Sequence, residues 1–98
     1  MNIQAMMKQA QKLQSDMMKV KEEIDNMDFS ATNGLVTVKM NGKKEVVDVK
    51  IEKDEDFDLD DIDMLQDMIR IAINDAMKQI DKVTEDKMGR FSSIPGLF

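Results

Sequence analysis

The sequence predicts an α+β fold in the order long helix, three-stranded antiparallel meander, long helix. Three observations carry that expectation. Apolar residues recur at steps of three and four from Ile3 to Met27, two Asn-Gly pairs bracket a short alternating run, and a second seam of steps of three and four runs from Ile62 to Val83.

The first seam comprises Ile3, Met6, Ala10, Leu13, Met17, Val20, Ile24 and Met27, with no Pro or Gly inside it. It predicts a helix over about residues 2–27, roughly 38 Å long at 1.5 Å per residue. Met7 and Met18 widen the stripe, so the helix is expected to meet more than one surface. Lys8, Lys12 and Lys19 fall outside the seam and face solvent.

The strands are expected at about 28–32, 35–40 and 45–52. A two-residue turn at Asn33-Gly34 suits a tight hairpin, because both central positions need positive φ. It pairs Ala31 with Val36, Ser30 with Thr37 and Phe29 with Val38. At the second pair, a four-residue loop over Asn41 to Lys44 is preferred to a two-residue one, and it pairs Val38 with Val47, Val36 with Val49 and Thr37 with Asp48. Either choice leaves Val36, Val38, Met40, Val47, Val49 and Ile51 on one face, which is expected to be core.

An acidic loop follows at 53–60, then a helix over about 61–88 carrying Ile62, Leu65, Ile69, Ala72, Ala76, Ile80 and Val83. Asp60 is the expected N-cap, and acids in the first turn suit the positive end of the helix dipole. Gly89 is the expected stop, and Pro95 forbids renewal in the tail, 89–98. Residues 1–98 thus form a single domain. Three short strands span about 20 Å, so the start of the first helix and the end of the second should run past the sheet as projecting arms. A chain of 98 residues buries a modest core, which predicts a homodimer.

Composition excludes much chemistry. The chain has neither His nor Cys, so catalysis by either, disulfides and thiolate zinc sites are unavailable. Ser15, Ser30, Ser92 and Ser93 lie near no evident base, and no phosphate-cradling Gly-rich loop exists. The chain is not expected to be an enzyme or to hold a cofactor or metal. Asp54, Asp56, Asp58 and Asp60 alternate like the start of an EF-hand loop, but Leu59 stands where Gly is needed and Leu65 where a Glu should close the site. The start "MNIQAMMKQAQKLQ" shows no apolar core of a signal peptide, and nothing approaches a membrane span. The mature chain is expected to be the one shown, in the cytoplasm and without a membrane partner.

The net charge is −6, yet residues 54–67 alone carry −8 and residues 1–21 carry +3. The basic residues of the two overhangs are Lys8, Lys12, Lys19 and Lys21, then Lys78, Lys82, Lys87 and Arg90. They form the candidate surface for double-stranded DNA. Without Trp or Tyr, and with few Arg, phosphate contact should dominate over base readout, so binding should be salt-sensitive and largely independent of sequence. The alternative is a protein-interaction adaptor. There the Met-rich helices and an apolar tail of Phe91, Ile94, Leu97 and Phe98 would receive a protein partner, with little DNA binding.

Four stretches carry a resemblance: "MMKQAQKLQ" at 6–14, "GLVTVKMNGKKEVVDVKI" at 34–51, "DIDMLQDMIRIAINDAMKQID" at 61–81, and "KMGRF" with "PGLF". Together they resemble the YbaB/EbfC family of bacterial nucleoid-associated proteins. The resemblance implies a small cytoplasmic homodimer with tweezer-like helical arms that binds DNA, alters its conformation and associates with the nucleoid. It places DNA contact on the terminal helices, here through Lys8, Lys12, Lys82 and Lys87, with Arg90 just beyond. It brings no catalytic motif.

Overall fold

The computed structural model describes residues 2–91, and the order of elements is helix, three strands, helix. Helix α1 spans Ile3–Asp25. Strands β1 (Asp28–Asn33), β2 (Val36–Asn41) and β3 (Val46–Ile51) form one antiparallel sheet in that order, and α2 spans Ile62–Met88. Asn2 caps α1: its Oδ1 accepts from the backbone N–H groups of Gln4 and Ala5 at 3.0 and 3.3 Å.

The first hairpin differs from the expected register. Asn33 pairs with Val36, Ala31 with Val38 and Phe29 with Met40, so the two loop residues are Gly34 and Leu35. Gly34 alone takes the left-handed conformation, at φ +55°, which is the turn with Gly first that matches strand twist. Shifting a partner by two leaves every side chain on its face, so Phe29, Ala31, Val36, Val38 and Met40 are buried as the alternation requires. On the outer face the hydroxyls of Thr32 and Thr37 meet at 2.9 Å.

The second hairpin follows neither register considered from sequence. Val36 pairs with Ile51, Val38 with Val49 and Lys39 with Asp48, and after a bulge Met40 pairs with Val46. The loop is organised by Asn41, whose Oδ1 accepts from the N–H groups of Lys43 and Glu45 at 2.9 and 3.2 Å. Lys44 takes the left-handed position at φ +65°, as the last residue of a three-residue loop does.

Helix α2 lies across β1 and β2. Met68 sits against Gly34 at one end of the sheet. At the other, Ala72, Ala76 and Ile80 complete a core with Phe29, Val38 and Met40. No described residue covers β3, so Val47, Val49 and Ile51, expected in the core, are 53%, 42% and 47% exposed. The bulge moves Val47 out of the alternation, and α2 is too narrow to reach the third strand, since a helix covers about 10 Å and strands lie 4.8 Å apart.

The start of α2 is also built differently. Asp61, not Asp60, stands at the N-cap of α2 and makes no side-chain cap there; the capping is one turn earlier, where Asp58 opens a 3₁₀ turn, Leu59–Asp61, in a reciprocal box with Asp61. Gly89 keeps a right-handed φ of −57°, and the chain continues through a second 3₁₀ turn, Gly89–Phe91, instead of stopping. That turn drives Phe91 inward, where it joins Ile24 and Met88 in a second apolar cluster flanked by Met17, Val20 and Val83. Phe91 is therefore core rather than part of an exposed tail, and Ile94, Leu97 and Phe98 lie outside the described residues.

Candidate nucleic-acid interface

Helix α2 crosses the sheet from Met68 to Ile80 and then carries Val83, Met88 and Phe91 past its edge, where α1 packs on them through Ile24, Val20 and Met17. The two helices run antiparallel there, because α1 ends at the sheet, with its Ile24 against Gly42, whereas α2 leaves the same end of the sheet toward Phe91. Residues 3–12 of α1 are exposed throughout, and the described chain is 72 Å long but 19 Å across.

Lys8, Lys12 and Lys19 stand at intervals of four and seven, which superpose on one stripe of a helix. The seam through Met17, Val20 and Ile24 faces α2, so this stripe points to solvent on the other side. All three lysines are exposed, and among the described residues no ion pair engages them. Asp16 is the sole acid among the first 21 residues.

The α2 candidates are arranged differently. Lys78 and Lys82 are four apart on the helix face away from the core, Lys87 lies in the last turn on another side, and Arg90 sits in the 3₁₀ turn. The Arg90 guanidinium lies over the Phe91 ring, 4.5 Å from its centroid. These four cations are interspersed with Asp75, Asp81, Glu85 and Asp86, so this end of α2 is electrically balanced. The stripes of α1 and α2 point away from one another, and one chain does not gather the seven candidates into a single patch.

Sequence reasoning did not place the β2–β3 loop in this region. Gly42 packs on the last turn of α1 so closely that a Cβ there would overlap the Ile24 carbonyl. This brings Lys43 and Lys44 beside Lys21 around a cleft floored by Ile24, Ile80 and Met88. Lys44 spends its charge on Asp81, Nζ to Oδ1 at 2.8 Å. A contact between residues this far apart in the chain leaves no local signal.

The described residues offer no group of three or more side chains suited to a metal, and no helix long and apolar enough to cross a membrane. The acids of the 54–61 loop are used locally: Asp54 Oδ1 accepts from the Asp56 N–H, and Asp58 Oδ1 from the Asp60 N–H.

The chain is 52% identical to "Nucleoid-associated protein OB0030" of Oceanobacillus iheyensis, over 99% of this chain and 97% of that one. It is 48% identical to a nucleoid-associated protein of Ligilactobacillus salivarius, over 99% and 95%. Among solved structures, the uncharacterized protein HP0035 of Helicobacter pylori superposes with a TM-score of 0.76 over 93% of this chain and 97% of its own, at 20% identity, which shows a shared fold. The sequence model of the YbaB/EbfC DNA-binding family matches residues 1–94, and the chain belongs to that family.

Proposed function

We propose that this protein is a cytoplasmic, nucleoid-associated homodimer that grips duplex DNA through its phosphates and alters the conformation of the DNA it holds, with effects on nucleoid organisation and expression. The observation that carries the reading is the α1 lysine stripe: three exposed cations, free of ion pairs among the described residues, on the helix face opposite the packing seam. The α2 cations lie among equal numbers of acids, so Lys78, Lys82, Lys87 and Arg90 act as secondary contacts. Family membership supplies DNA as the ligand class.

The dimer reading draws support from the uncovered strand. Val46, Val49 and Ile51 stand exposed on the sheet face that α2 covers elsewhere, along the edge strand β3. A contiguous apolar strip on a sheet edge is a site for association. A second copy would cover it by two-fold pairing and duplicate the α1 stripe, giving a grip with two arms.

The test is fluorescence anisotropy of two unrelated duplexes across a salt series, with the natural chain and with Lys8→Glu, Lys12→Glu and Lys19→Glu combined. The natural chain is expected to bind both duplexes alike, and the triple variant to lose about 0.9 from the log–log salt slope for each phosphate contact removed. A folded triple variant with unchanged affinity would sink the site assignment. No binding by the natural chain even at low salt would instead favour the adaptor reading, in which the exposed Met and β3 side chains receive a protein.

A further inference from the structure

We propose that Asn33 is a site of spontaneous covalent modification, converting to aspartate and isoaspartate through attack by the Gly34 backbone nitrogen, and that the fold withholds the same reaction from Asn41. The chain has two Asn-Gly pairs, Asn33-Gly34 and Asn41-Gly42. In each, the residue after Asn lacks a Cβ, which leaves its nitrogen unhindered and its peptide free to turn. Local sequence makes the two alike, and the structure separates them.

In the reaction the Gly34 nitrogen bonds to Cγ of Asn33 as the Cγ–Nδ2 bond breaks. The side-chain nitrogen departs as ammonia, taking the proton that the Gly34 nitrogen gives up, and a cyclic imide remains. Water then opens the ring. Attack at Cγ yields aspartate, and attack at the main-chain carbonyl yields isoaspartate, whose backbone is longer by the Asn33 Cβ.

Either site must first swing its Asn-Gly peptide until the nitrogen stands over Cγ. At Asn41 the side chain is held at both atoms: Oδ1 accepts from the Lys43 and Glu45 N–H groups, and Nδ2 donates to Glu45 Oε1 at 3.1 Å. Its main chain is held as well, the N–H donating to the Glu45 carbonyl at 3.0 Å and the carbonyl accepting from the Lys44 N–H at 3.1 Å. Gly42 lies against the Ile24 carbonyl, so turning that peptide means parting the loop from α1. Asn33 is held far less. Its half-buried side chain makes no hydrogen bond among the described residues, and Asn33 with Val36 is the last rung of the first hairpin. Gly34 is exposed, and its close neighbour is the flexible end of Met68. The swing there needs only a frayed rung and a moved side chain. The product adds a negative charge at the end of the sheet where the acidic segment begins, away from the α1 lysines, so the inference does not rest on the DNA-gripping reading.

The full-length protein is incubated at mildly alkaline pH, folded or in urea, then digested with trypsin and followed by mass spectrometry. Cleavage at Lys39 places the two sites in separate peptides. In the folded chain Asn33 is expected to convert at least about tenfold faster than Asn41, the difference between fraying and opening a packed junction. In urea the two rates should come within about twofold, because only residual structure then distinguishes them. Equal folded rates, or a faster Asn41, would overturn the proposal. So would an unchanged ratio in urea, which would make local sequence the cause, and so would a folded Asn33 that stays intact while both sites convert in urea.

Discussion

Gly42 and Phe91 fasten the two ends of the junction between α1 and the rest of the molecule. At Gly42 the obstacle to a side chain is backbone, the Ile24 carbonyl, which cannot turn aside as a side chain can. At Gly34 a Cβ would meet the terminal atoms of Met68 at 2.7 Å, which can move, although its φ of +55° adds strain. Gly42→Ala should therefore destabilise by about 1–3 kcal/mol, in the range of overpacking, and more than Gly34→Ala, as thermal unfolding would read. Phe91→Ala removes a fully buried ring, an exchange that costs about 3–5 kcal/mol in a typical core. Because Phe91 lies at the edge of the fold, the expected readout is local: faster hydrogen exchange in residues 17–25, with the strands still protected. Neither position was legible in the sequence. Asn41-Gly42 read as a turn, which it is, but turn chemistry says nothing about what the loop touches. Phe91 follows a Gly that suits a helix stop, so sequence alone assigns it to the tail, whereas the φ of Gly89 stays right-handed.

The elements themselves were written plainly in the chain. Steps of three and four gave both helices, and alternation gave the buried faces of β1 and β2 even though both hairpin registers were wrong. A register error of two residues preserves the face; only an error of one exchanges it. What period cannot tell is whether a face, once chosen, is covered. Strand β3 shows the difference, since Val49 and Ile51 share the face of Val38 and Val36, yet α2 does not extend over them. If a second copy covers this strip, Val49→Lys with Ile51→Lys should convert the dimer to a folded monomer. In one chain these side chains are already 42% and 47% exposed, so the substitutions should cost the monomer no more than about 1 kcal/mol. Sedimentation and circular dichroism check the two halves of that expectation. A variant that remains dimeric would move the interface elsewhere.

On the scale of the whole molecule, a chain of net charge −6 is an improbable ligand for a polyanion unless its charges are kept apart. The fold separates them. The acidic segment begins just after Ile51, which pairs with Val36 beside the Gly34 turn, and α2 then runs from that end of the sheet toward the other. Helix α1 joins the molecule at the far end and extends away from it, so the −8 segment and the lysine stripe lie toward opposite ends of a chain 72 Å long. At physiological ionic strength the screening length is about 8 Å, whereas at 0.01 M it is about 30 Å. The acids should therefore oppose DNA binding only when salt is low. Glu55→Gln, Asp56→Asn and Asp60→Asn, whose side chains make none of the loop's hydrogen bonds described above, would reduce the net charge without dismantling the Asp58–Asp61 box. The combined variant should bind duplex DNA more tightly than the natural chain at about 0.01 M salt and equally near 0.15 M, where the screening length is short. Tighter binding of equal size at both salt concentrations would mean that the acidic loop lies close to the bound DNA, and the α1 stripe would then be only part of the contact surface.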